Sequence, residues 1–407
     1  MFAPTVPQVM REFDSSSVIL SEIVVSIYVL GFSIGPLLIA PLSEVYGRRW
    51  VYLISCGFFL IFTIACPVSS SLSMLIVFRF LAGCAGSTPV TLGGASIGDM
   101  FPKEKRSAAM ALWGMTPQLA PAIGPIIGGF LEEVEGWRWI FWLQAITAGL
   151  VLVFGIVILR ETYAPTILRR KTNALILETG DTTLRSILHD PTPPSDIFIH
   201  AIFRPLKLLV LSPIVLLLSL YTTVLFGYLY LFITTLPEVF QGQYDFSVGD
   251  SGLTYLGLGV GSILGLIIAG KTGDTMYQIL AAKNKGIEAP EYRLPPLMLT
   301  SPLVSIAFFS YGWSVEMKTH WIVPLIATAV FSLGMMPAFV SLDFPPPYSQ
   351  FMIQRGTYIL IRFPSICISL IHLEGTPRLL LQQVKFCSRL SALFFLLLES
   401  HSSINWA

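Results

Sequence analysis

Nine stretches of mostly apolar residues, each about 18–25 long, punctuate this 407-residue chain, near positions 20–42, 51–69, 74–97, 108–131, 138–159, 211–235, 251–270, 297–315 and 321–341. An α-helix rises about 1.5 Å per residue, so each stretch can cross the ~30 Å hydrocarbon core of a bilayer. Lipid gives backbone N–H and C=O groups no partners, which leaves helices as the form such runs must take. Charged residues make up only 12% of the sequence, against about a quarter in soluble proteins. The expectation is an all-α, multi-pass membrane protein.

Basic residues orient it. Sixteen lysines and arginines lie in one set of loops: Arg48 and Arg49, then Lys103, Lys105 and Arg106, then seven from Arg160 to Lys207, then four from Lys271 to Arg293. The opposite loops hold three, Arg11, Arg138 and Lys318. Basic loops stay in the cytoplasm, so the first set is cytoplasmic and the chain begins outside, one helix short of an even count. No cleavable signal peptide is expected, and the proline-punctuated MFAPTVPQVMREF reads as an exposed loop.

The polar segment 160–208 splits the helices five and four. It divides the chain into a first bundle at 1–159, a cytoplasmic linker at 160–208, a second bundle of four helices at 209–342 and an aberrant or disordered tail at 343–407. Within that tail, 357–373 is a marginal tenth helix. The tail reads either as a disordered cytoplasmic extension or as a misread end standing in for two last helices.

The halves echo each other 230 positions apart: Pro7 with Pro237, Val9 with Val239, Gly31 with Gly261, Gly35 with Gly265, Glu44 with Asp274. Duplicated halves are a known transporter architecture, with the substrate site between them at mid-depth.

Between the first two helices runs Ala40-Pro-Leu-Ser-Glu44-Val-Tyr-Gly47-Arg48-Arg49. Gly47 permits a tight turn. Glu44, Arg48 and Arg49 can pair with neighbouring charges or helix ends as a lock formed in one state, or serve as a plain basic anchor. Asp274 repeats the acid in the second half, and Asp99 can meet Arg48 at the cytoplasmic end.

Arg79, inside the helix at 74–97, either faces a cavity or partner or snorkels to the nearer interface. Pro121, Gly124, Pro125, Gly128 and Gly129 crowd one apolar helix, where small residues admit a close neighbour and proline bends the rod. Glu22 either carries a proton or caps a helix. Trp113, Gln118, Tyr221 and Tyr228 either line an amphipathic pocket or gather at the interface as aromatic residues do.

Several functions are excluded. A net charge of +1 gives nucleic acid no basic surface to bind. The five cysteines (Cys56, Cys66, Cys84, Cys367, Cys387) read as small apolar residues, and the five histidines do not cluster, so no metal is expected. No nucleophile–base pair or nucleotide loop is evident, so the chain is not expected to be an enzyme.

Taken in order, FAPTVPQV, APLSEVYGRR, RFLAGCAG, IGPIIGG, RETYAP, RPLKLL and PEYRLP resemble the major facilitator superfamily, specifically its fungal twelve-helix drug:proton antiporter branch. The resemblance runs from Phe2 to about Ser341, with Ala40 and Glu44 in place of the more general Gly and Asp. It implies the major facilitator fold, two pseudo-symmetric helix bundles, here incomplete with about nine or ten of twelve transmembrane helices.

By that resemblance the activity is proton-coupled export of small organic compounds (drugs, toxins, polyamines) by alternating access. The coupling ion is the proton, without other cofactors, and the expected form is a monomer in the plasma membrane, or in the vacuolar membrane. Arg79 would take part in proton coupling. Glu44, Arg48 and Asp99 would form the cytoplasmic charge lock, and Gly124, Pro125, Gly128 and Gly129 the antiporter motif. A nutrient facilitator such as a sugar carrier, or a non-transporting relic or sensor on the same scaffold, are the alternatives.

Overall fold

The computed structural model describes residues 2–283 and 295–343, apart from residue 16 and scattered positions between 182 and 212. The tail and its marginal helix lie outside the described residues, as do the side chains of Glu22, Gln118 and Asp274. In chain order the helices are α1 (Val6–Glu12), α2 (Val18–Tyr46), α3 (Arg48–Ala65), α4 (Leu72–Gly86), α5 (Thr88–Met100), α6 (Lys103–Glu135), α7 (Trp137–Ile158) and α8 (Ala164–Thr179). They continue as α9 (Pro213–Gln243), α10 (Val248–Leu253), α11 (Leu256–Lys283), α12 (Pro295–Glu316) and α13 (Ile322–Asp343). All nine expected spans fall on helices. Seven stretches among the described residues are long and apolar enough to cross a membrane.

The opening segment and the expected helices at 74–97 and 251–270 depart from the sequence reading, the last broken at Thr254–Tyr255 between α10 and α11. The opening segment is folded, not an exposed loop. Prolines open both a 3-10 turn at Ala3–Thr5 and α1, where a missing N–H leaves no gap in the ladder. Phe2, Val9 and Met10 are buried. Gln8 Oε1 accepts the Trp137 backbone N–H at 3.1 Å, Glu12 accepts the Trp137 indole N–H at 2.6 Å, and Glu12 pairs with Arg138.

The expected helix at 74–97 is two, α4 and α5, meeting at Ser87. Pro89 has no N–H to offer the Ala85 carbonyl, and the Thr88 hydroxyl donates to that oxygen instead, at 2.9 Å. The linker also contains a helix, α8, ended by Gly180 in the left-handed conformation at φ 71°.

The described chain divides into two compact units. One comprises Met1–Val25, Gln118–Ile140 and the residues from Pro213 onward. There α13 packs along α11 and α12, over an aromatic core centred on Phe232. Its ring lies 5.1 Å from Phe308, 4.8 Å from Tyr311 and 4.8 Å from Phe331 by centroid. The second unit comprises Ser26–Pro117 and Phe141–Ser212, with α3 against α4 and α5.

The 230-residue echo has a physical counterpart inside each unit. In the second unit a Cβ on Gly31 would collide with the Phe80 carbonyl, and one on Gly35 with the Cys84 carbonyl and the Ser87 hydroxyl. In the first, a Cβ on Gly261 would collide with the Ala329 carbonyl, and one on Gly265 would come within 2.8 Å of the Leu333 carbonyl. Gly257 adds a further rung against Leu325, at 2.8 Å. So α2 seats its backbone on α4, and α11 on α13, in parallel and at successive turns. Helices in lipid gain most of their packing from such approaches, because water offers no drive to join them.

Candidate functional site

The turn between α2 and α3 depends on Gly47. Its φ of +93° suits a residue without a side chain, and a Cβ there would lie 2.5 Å from Glu161 Oε2. Glu161 comes from the loop after α7. Its carboxylate accepts the backbone N–H of Arg48 at 2.8 Å and of Arg49 at 3.2 Å. It also accepts those of Thr162 and Tyr163, at 3.2 and 3.1 Å. The free N–H groups opening a helix carry partial positive charge, so a carboxylate there is well placed.

Arg48 is buried. Its Nε lies 3.4 Å from Asp99 Oδ2, its guanidinium donates to the Ser43 hydroxyl, and its Cζ stands 4.9 Å from the Tyr163 ring centroid. Three elements thus converge on this cation of α3, as a buried charge requires. Arg49 donates to the Ile156 carbonyl at 3.3 Å. Glu44 stands half-buried on the last turn of α2. Asp274 lies on α11, with its side chain outside the described residues.

Arg79 is 7% exposed on α4. Its guanidinium carbon lies 5.7 Å from the Tyr28 ring on α2 and 5.8 Å from the Phe141 ring on α7. Such ring faces attract a cation. The side chain is thus enclosed among three helices of its unit, rather than lying out on an exposed surface.

The glycine–proline helix α6 makes a seam with α10 and α11 inside the other unit. A Cβ on Gly129 would come within 2.8 Å of the Val248 carbonyl, and one on Gly252 within 2.8 Å of the Pro125 carbonyl. One on Gly259 would come within 2.8 Å of the Ala122 Cβ. Pro125, Gly128 and Gly129 are buried, while Pro121 and Gly124 are half-buried. At the seam's end Glu133 Oε1 accepts the Gly249 N–H at 2.8 Å.

Of the four aromatic and amide candidates, Trp113 lies in the second unit and Tyr221 and Tyr228 in the first. Tyr228 belongs to the aromatic core, 5% exposed and 4.4 Å from Phe308 by ring centroid. Tyr221, half-buried, shares a hydrogen bond of 2.8 Å with Ser301. Trp113 packs against Gly93 in the other unit, and the Gln118 side chain lies outside the described residues. A cavity of about 420 Å³ in the second unit is lined by α3, α4, α5 and α7, with Tyr52, Cys56, Phe59, Gly86, Gln144 and Thr147 among its walls.

Glu161 and the pair Glu132–Glu133 escaped the sequence reading. The Arg160-Glu161-Thr162-Tyr163 run drew notice only as a likeness, and the two acids follow the glycine-rich motif directly. No local pattern says which distant N–H each carboxylate meets.

The Major Facilitator Superfamily signature matches residues 1–352. The MFS-type transporter penM of Penicillium rubens is 50% identical over 84% of this chain and 67% of its own length. The efflux pump radE of Floropilus chiversii is 45% identical over 82% of this chain and 62% of its own. The MFS-type transporter hepF of Aspergillus oryzae is 44% identical over 93% and 74%. The chain thus spans about two thirds of these relatives.

A solved structure of the xylose transporter XylE from E. coli, partially occluded and inward open, has a TM-score of 0.65 at 15% identity, covering 97% of this chain and 93% of that one. At that identity the likeness concerns the fold alone. The helices, the paired glycine seats and the family signature lead to one conclusion: this chain belongs to the Major Facilitator Superfamily and is a multi-pass membrane transporter protein.

Proposed function

We propose that the chain exports small organic compounds against an inward flow of protons, by alternating access, as a monomer in the plasma membrane. The observation that carries this reading is Arg79, a guanidinium enclosed at 7% exposure within an apolar helix. Such a charge costs several kcal/mol unless it serves a pathway or partner, so it marks a functional site by default. In this reading Arg79 tunes the protonation of groups around it as the protein changes state. Export rather than import is favoured by the glycine–proline seam of α6 and by the likeness to an efflux pump, radE. The corner formed by Arg48, Asp99 and Glu161 would hold one state closed, and no cofactor beyond the proton gradient is needed.

The test is efflux of rhodamine 6G from yeast lacking its own exporters. Cells making the wild-type chain should lose dye faster than control cells, and a proton uncoupler or Arg79→Ala should abolish the difference. Export that survives both would overturn the coupling. No export from a correctly folded chain would overturn the transport reading.

A further inference from the structure

We propose that Glu132, on the last turn of α6, is a proton-binding site that loads when the junction between α6 and α10 is closed and unloads when it parts. The proposal deepens the antiport reading and rests on it for the use made of the proton.

Glu132 follows Leu131, where the apolar run 108–131 ends, on the side that the basic-loop count puts outside. It is 8% exposed, and its Oε2 is buried with no hydrogen-bond partner among the described residues. A carboxylate denied both water and a donor is costly, whereas the neutral acid is not. Its neighbour Glu133 is exposed and bonded to the first turn of α10 through the Gly249 N–H. That bond, with one from the Ser247 hydroxyl, holds the Glu133 carboxyl below the usual range and keeps it ionised. Burial first, and the adjacent Glu133 charge second, push Glu132 up to about 8.

Other charges around this corner are engaged elsewhere or exposed. Glu12 of α1 is bound to Trp137 and Arg138 at the start of α7. Arg11, Glu135, Glu238 and Asp250 are exposed. In the proposal the closed seam beside Glu132, with Gly129 against Val248 and Gly252 against Pro125, is what keeps water from it. If the seam parts, the acid is hydrated and its affinity falls toward that of an ordinary carboxyl, so the proton leaves at neutral pH. Linkage makes the relation mutual: binding the proton favours the closed seam.

The experiment is an infrared pH titration of the full chain in lipid nanodiscs, following the protonated-carboxyl band. Wild type should lose a band with a midpoint near 8. Glu132→Gln should lack it, and Glu133→Gln should keep it with the midpoint moved to lower pH. A midpoint in the ordinary carboxylate range, or a band unchanged in Glu132→Gln, would overturn the proposal. Should Glu132→Gln fail to fold, an unmoved midpoint in Glu133→Gln would overturn it equally.

Rhodamine 6G export into proteoliposomes under an imposed pH gradient separates the two readings. No gradient-driven export by wild type removes antiport while the titration stands by itself. Gradient-driven export that persists undiminished in Glu132→Gln removes the coupling role of this site. Expected is at least a tenfold loss of the gradient response.

Discussion

Glu161 and Arg48 meet side chain to backbone: the Glu161 carboxylate takes the Arg48 N–H at 2.8 Å, with the Arg49 N–H 3.2 Å away. Replacing it should leave two helix-opening donors unmet at a half-buried corner. Glu161→Ala is expected to cost about 1–3 kcal/mol, the range for a charged acceptor lost from backbone donors, and Glu161→Gln less. Thermal unfolding in detergent measures this, and a transition unmoved by Glu161→Ala would remove the capping role.

Gly47→Ala tests the same corner from the other side. A φ of +93° with ψ 165° is a conformation kept almost wholly to glycine and costs another residue about 1–3 kcal/mol, and the added Cβ would press on Glu161 Oε2 besides. The two changes should therefore not add. In Gly47→Ala/Glu161→Ala the collision is gone and the backbone penalty remains, so a double-mutant cycle should show coupling. Strict additivity would contradict the contact.

Glycines on the helices should sort by what stands beside them. Gly31→Val drives a side chain into the Phe80 carbonyl and should leave little folded protein, as should Gly261→Val against Ala329. At Gly57, on α3, nothing lies within 4 Å of a built Cβ, so Gly57→Val should express and unfold like wild type. Monodisperse yield on size exclusion compares them.

Acid should weaken the tie between α1 and α7. Burial is the largest single influence on Glu12 and raises its pKa, but bonds from Trp137 and Arg138, with the Arg138 charge, outweigh it and leave it below the ordinary value of 4.5. A depressed folded value means stability present above 4.5 and lost as pH falls through the lower folded value. Glu12→Gln should thus unfold earlier than wild type at neutral pH, and the gap should close in acid. Because the pair is half-exposed, the gap should be no more than about 1 kcal/mol and should shrink with salt.

The membrane explains why so much of the architecture was legible. Lipid demands long apolar helices, so the helices could be read from composition, and seven stretches among the described residues are long and apolar enough to cross a membrane. The glycine pairs were visible as an echo because a backbone-on-backbone contact admits one residue type. Side-chain pairing was less legible: Glu161 is one of 24 acids, and nothing adjacent to it names the N–H groups it meets. The opening segment misled because a proline at a helix start and a proline in a loop look alike. Pro89 splits its span where Pro36 and Pro41 sit within α2, a difference settled by neighbours and not by the prolines themselves.

Consider the paired seats of α2 on α4 and of α11 on α13. Sliding α2 along α4 by one turn would set Ile27 or Ile39 where only a hydrogen fits, so neither pair can work as a ratchet. Each must travel as a welded plank, and flexure is left to the joints where the ladder already lapses. Among these are Ser87 and Thr254–Tyr255, where the N–H groups reach back three residues to Ser251 and Gly252.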